Sequence, residues 1–413
     1  MVTTSVFSLL SALTVAALPH VVVDKAPISH SLSRRLNAGV SVRHIAEMDR
    51  ARARALKSRG SASRPPMERA AVGSPDPVPN NPLVAYVVAG IGTPPTNYTL
   101  LVDTASPLTW IGANKRYVPS NSSKEAGQEV VIGDLISGIH GTGEGFFDTI
   151  TLGDLTVKAQ FIGVSLTEFD FNGGLDGVLG IGPIDLSSNS GFSSSGHPTV
   201  TNNAFIQDLI PSDEVGMYFL PTTSSPIADG QQTFGGVDPS FLTSLFTTVP
   251  ITSTAPSKEF IGIDQAISYG TPDATILRST AGVVDSGTTL ILIASDAFAL
   301  YQKATGATLD ENTGLLRLPA SQYNTLESLF FDISGTTFEF TSNAQIFPRV
   351  FNERIGGDNE SIYLIVTDLG SPSGEGLDFI NGLTFLQRFY TVYNSQTPSF
   401  GIATTPFTTA ETN

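Results

Sequence analysis

The chain has 413 residues, enough for two or three domains around large cores. Only 15% of residues are charged, while glycine numbers 39 and proline 26; this is the composition of a turn-rich β protein and not of a helical bundle. Cysteine is absent, which excludes disulfides, thiol catalysis and thiolate metal sites, and leaves stability to the core.

The first 17 residues carry no charged side chain, and an apolar run from Val6 ends in small residues at Ala17. This reads as a secretory signal peptide, residues 1–17, and predicts a secreted, extracellular protein. Residues 18–69 hold 11 Lys and Arg against 4 Asp and Glu, a net charge of +7. The rest of the molecule carries −23. A basic segment ahead of so acidic a body is expected to be a pro-segment held by charge attraction, with cleavage after Arg69 or at Arg34-Arg35. The acidic body argues against nucleic acid as a partner. No later apolar run reaches membrane-spanning length, so no membrane partner is expected.

After a Pro- and Gly-rich lead-in, residues 84–92 read as a strand, and residues 98–102 as a second strand ending at Asp103. Helical patterns are few: residues 295–305, 321–329 and a short piece near 384–389. Three sequons, at Asn97, Asn121 and Asn359, are candidate glycosylation sites.

Val102-Asp103-Thr104-Ala105-Ser106 returns as Val284-Asp285-Ser286-Gly287-Thr288, about one domain length later. A carboxylate directly after an apolar strand suits a strand that ends at a cleft. The two aspartates are read as halves of one site. Other chemistries find less support. Only His140 and His197 lie beyond Arg69, and both read as solvated loop residues without metal-ligand spacing. No metal or cofactor is therefore expected. Two adjacent carboxylates share one proton. The charged member can then activate a water while the protonated member donates to a peptide carbonyl. Thr104 and Ser286 are placed to bond across to the opposite loop, and Ser106 and Thr288 to orient the outer carboxylate oxygens. A secreted carboxylate-dependent glycosidase is a competing reading, but the chain has a single Trp for stacking on sugars.

These motifs resemble the pepsin-like aspartic proteases, most like the fungal polyporopepsin type, over about residues 80–407. Gly90-Ile-Gly-Thr-Pro-Pro enters the first aspartate strand. Asp176-Gly-Val-Leu-Gly-Ile-Gly182 and Phe379-Ile-Asn-Gly-Leu are similar to the elements that pack behind each aspartate. Thr233-Phe-Gly-Gly-Val-Asp238 is similar to the opening of the second lobe. The resemblance implies a mainly β, bilobal fold with two pseudo-symmetric lobes and a deep cleft: residues 70–235 carrying Asp103, and residues 236–413 carrying Asp285. It implies a monomeric aspartic-type endopeptidase acting on peptides or proteins at acid pH, with Asp103 and Asp285 catalytic. Thr104, Ser106, Ser286, Gly287, Thr288 and Trp110 would support them, and the cleft would be plugged by its own pro-segment. The sequence departs from the family twice. Ala105 stands where the family has glycine, and the flap position of the family's tyrosine falls on Ile136, followed by Ser137 and Gly138. These departures leave open an alternative, a weakly active or inactive protein that binds peptides or an extracellular partner in its cleft.

Overall fold

The computed structural model describes residues 25–36, 45–59, 83–133, 140–171, 173–184, 196–221 and 227–413. The signal peptide, the lead-in and flap residues Ile136, Ser137 and Gly138 lie outside them.

Strand Leu83–Ile91 folds back on Thr96–Asp103 as an antiparallel hairpin. Its alternating apolar residues face the core, as a half-buried strand requires. Thr96–Asp103 then pairs in parallel with Gly177–Gly180, which pairs antiparallel with Trp110–Ile111. Leu155–Ser165 continues the sheet in parallel with Trp110–Ile111. The second half repeats this pattern. Gly262–Tyr269 is antiparallel to Thr275–Val284, which runs parallel to Phe379–Asn381. Phe379–Asn381 is antiparallel to Ile291–Ile293, and Val366–Asp368 closes the series in parallel. Asp103 closes its strand and Asp285 directly follows Val284, so equivalent strands deliver equivalent carboxylates.

Behind each aspartate loop the chains pass very close together. A side chain at Gly182 would overlap the Thr104 carbonyl, and one at Gly382 would overlap the Leu290 carbonyl. Glycine is required at both for that close approach.

The two halves are joined through a continuous sheet. Strands Glu214–Phe219, Ile227–Phe234, Phe389–Asn394 and Ser399–Thr404 lie side by side in it. The strand Ile28–Leu36, from the basic segment, sits between Ile227–Phe234 and Leu83–Ile91 and pairs antiparallel with both. Arg34 is buried there, and its guanidinium donates to the Leu220 carbonyl. Cleavage at Arg34-Arg35 would therefore need this strand to leave the sheet.

Helix Ser295–Thr305 forms as its pattern predicts and stops at Gly306, which takes a left-handed conformation (φ 69°). The helix expected over residues 321–329 is instead a 3-10 turn, Ala320–Thr325. Leu329–Ile333 alternates buried and half-buried residues and joins the sheet. Strand pairing there outweighs local helical spacing. The piece near residues 384–389 is one turn of helix, Leu383–Leu386, followed by strand from Phe389. Among the described residues, two α-helices have no counterpart among the sequence-based expectations: Ile45–Arg59 in the basic segment and Val200–Ile206. The latter is capped by Thr199, whose side chain accepts from the Asn202 amide.

Candidate active site

The two aspartate loops face each other and are bonded reciprocally. The Ser286 amide donates to Thr104 Oγ1 (2.9 Å), and the Thr104 amide to Ser286 Oγ (3.2 Å). Each hydroxyl continues to the opposite strand: Ser286 Oγ to the Val102 carbonyl (2.7 Å) and Thr104 Oγ1 to that of Val284 (3.3 Å). All four donors and acceptors are buried, so breaking any one would leave an unpaired polar group in the interior.

Each carboxylate is held in the same way. Asp103 accepts from the Ala105 amide (2.8 Å) and from Ser106 Oγ (2.7 Å). Asp285 accepts from the Gly287 amide (3.0 Å) and from Thr288 Oγ1 (2.6 Å). Ala105 lacks the left-handed backbone that would strain a residue with a side chain. It makes the same amide bond as Gly287.

Between the carboxylates lies the guanidinium of Arg52, from helix Ile45–Arg59, wholly shielded from solvent. Its Nη2 donates to Asp103 Oδ1 (2.7 Å) and Asp285 Oδ1 (2.8 Å), and its Nε donates to Asp285 Oδ2 (2.6 Å). A single nitrogen thus spans the two acids. Burial pushes the Asp285 carboxyl pKa up. The adjacent Arg52 charge, the bonds from Arg52 and Thr288 and the Gly287 amide outweigh this and hold it below the ordinary carboxylate value.

Two more contacts fasten the helix. Asp49, one turn before Arg52, accepts from the backbone amides of Thr289 (3.1 Å) and Leu290 (2.8 Å). Its complete burial raises its pKa to about 7, against the pull of those amides. Lys57 pairs with Glu375 and donates to Ser371 Oγ (3.2 Å). The basic segment was legible as a charge pattern, but Arg52 and Asp49 were not singled out. Their signal is Asp49-x-x-Arg52 in an Ala- and Arg-rich stretch of high helix propensity, where residues three apart share a face.

Trp110 is buried in the first lobe, its ring 5.0 Å from that of Phe171 and 6.0 Å from that of Phe169. His197 is not a freely solvated loop residue: it stacks on Phe161 at 3.8 Å and its Nε2 bonds Gln128 (2.9 Å). Asn97, Asn121 and Asn359 are all exposed. Among the described residues no cluster of His, Asp and Glu is arranged to hold a metal ion. No described helix is long and apolar enough to cross a membrane.

The family model of eukaryotic aspartyl proteases matches residues 86–405, which include both aspartate loops. The chain belongs to this family. It is 53% identical to polyporopepsin of Irpex lacteus over 336 residues, 81% of this chain and 98% of that protein. Gastricsin of Cavia porcellus is 29% identical over 331 residues, 76% of this chain and 78% of the relative. Among solved structures, the aspartic proteinase from Irpex lacteus superposes with a TM-score of 0.75 at 52% identity, covering 80% of this chain and 96% of that one. The aspartyl protease is therefore a pepsin-like, mainly β, bilobal protein, and its activity is that of an aspartic-type endopeptidase.

Proposed function

We propose that this aspartyl protease is made as a secreted precursor and hydrolyses peptide bonds at acid pH with Asp103 and Asp285. Residues 1–17 would be the signal peptide and residues 18–69 the pro-segment, with the mature chain starting at Ala70. The lobes would divide near residues 235 and 236. The observation that carries the reading is the Arg52 nitrogen within hydrogen-bond reach of both carboxylates. Once Arg52 leaves, a water fits the same position. One carboxylate keeps a proton and the other is charged, as in aspartic proteases generally. The charged one takes a proton from the water as it attacks the peptide carbonyl, and the other donates to the carbonyl oxygen. Ser106 and Thr288 fix the outer oxygens, so the inner oxygens face the water and substrate.

Arg52, Asp49 and Lys57 would hold the pro-segment over this site until acid releases it. The three exposed sequons suit glycosylation of the secreted protein. The alternative of an inactive cleft-binding protein draws partly on Ala105 standing where the family has glycine, since a side chain there could strain the loop. The unstrained backbone and retained amide bond of Ala105 weaken it. The test is to acidify the purified precursor and follow its mass and its cleavage of a denatured protein, with and without pepstatin. Loss of residues 18–69 together with pepstatin-blocked cleavage is expected. Tight pepstatin binding without cleavage would favour the alternative.

A further inference from the structure

The two aspartate loops are bonded alike, but they differ by a methyl at three positions: Thr104 against Ser286, Ala105 against Gly287, and Ser106 against Thr288. The methyl of Ala105 is the one that faces a glycine whose open space the occupant fills. The Arg52 guanidinium, the planar group seated on the dyad, does not treat the two sides equally. It makes two bonds to Asp285 and one to Asp103. A methyl added to Gly287 would overlap that guanidinium at Nη2 and at its central carbon. The planar group therefore lies over the bare glycine, in the space that a side chain would fill. Ala105 already carries a methyl at the equivalent position of a loop with equivalent bonds, and is 4% exposed.

The geometry points to Ala105 as a substrate-positioning residue: its methyl closes one half of the cleft floor, so a planar scissile amide must lie over Gly287, against Asp285. This inference rests on the proteolytic reading of the site. A floor open on one side only has a definite steric consequence. Filling the remaining gap should eliminate productive binding, and reopening the other side should restore part of it. Overpacking a close-packed site is costly, and relief at a neighbouring position couples to it.

The experiment compares the acid-processed enzyme with its A105G, G287A and A105G/G287A variants, using one peptide substrate and pepstatin. A105G is expected to raise kcat severalfold with KM nearly unchanged, because remote subsites set KM while the floor acts on the reacting amide. G287A is expected to lower kcat/KM and pepstatin affinity by about 5- to 140-fold, an overpacking cost of about 1–3 kcal/mol at ten-fold per 1.4 kcal/mol. The double variant should recover a measurable part of that loss over G287A in both. An unchanged kcat in A105G overturns the inference, as does a G287A enzyme equal to wild type or a double variant no better than G287A. A105G only removes atoms, so it remains informative if the G287A chains fail to fold. If the wild type binds pepstatin without cleaving, the proteolytic reading fails, and the order of pepstatin affinities still decides this inference.

Discussion

Arg52 is a buried cation on which two buried acids converge, and each acid in turn is paired with it. A buried ion pair broken on one side costs about 3–5 kcal/mol, because the remaining charge is left unpaired. Arg52→Ala should therefore lower the urea midpoint of the precursor at pH 7 and open the dyad, so that the unprocessed variant binds pepstatin at neutral pH while the wild-type precursor does not. Arg52→Lys should fall between them, since an ammonium is a point charge and cannot match the guanidinium's three bonds. Equal pepstatin binding by all three would show that Arg52 does not occlude the site. The aspartate loops were legible in sequence because Asp-Thr-x-Ser and Asp-Ser-Gly-Thr set hydroxyls at the same offsets from the acid. Arg52 was not, because its partner acids lie 51 and 233 residues away and nothing local marks which of many arginines reaches them.

Helix Ile45–Arg59 carries two pH-dependent attachments of opposite sign. Asp285 is held below the ordinary carboxylate value, so its pairing with Arg52 stabilises docking above that value and is lost as pH falls through the lowered one. Asp49 is raised to about 7, so its contribution is fully present below its free value, near 3.8, and is lost as pH rises from there through about 7. If the helix belongs to a pro-segment released by acid, as proposed, the dyad would drive that release and Asp49 would oppose it. Asp49→Asn keeps a hydrogen-bonding oxygen but cannot take up the proton. Its release should depend on pH more steeply between about pH 4 and 7, by up to one proton, measured as the slope of log release rate against pH. An unchanged slope would remove Asp49 from the switch. At this scale the sequence was readable where packing agrees with spacing, as in Ser295–Thr305. It misled over residues 321–329, where Leu329–Ile333 is recruited into a sheet by Gly262–Tyr269, far away in sequence.

Across the whole molecule, the strand Ile28–Leu36 fills a slot in the sheet between Ile227–Phe234 and Leu83–Ile91. Its departure leaves two edges with unpaired backbone groups. The precursor should therefore melt higher than the processed enzyme at pH 7 by calorimetry, with the gap narrowing as pH falls toward release. A processed enzyme as stable as its precursor at pH 7 would mean that another segment takes the slot. The bilobal plan was legible because two short motifs repeat in order. The bridging role of the basic segment was not, since charge reveals attraction but not the strand register. The most direct test of the account is the rate of protein cleavage by acid-treated wild type, Asp103→Asn and Asp285→Asn from pH 2 to 8. The account predicts a wild-type rate that falls above about pH 6 as the dyad loses its second proton. It predicts loss of cleavage by at least about 10²-fold in either variant, with folding retained by circular dichroism. A variant that still cleaves at the wild-type rate, or a wild-type rate that keeps rising toward pH 8, would contradict it.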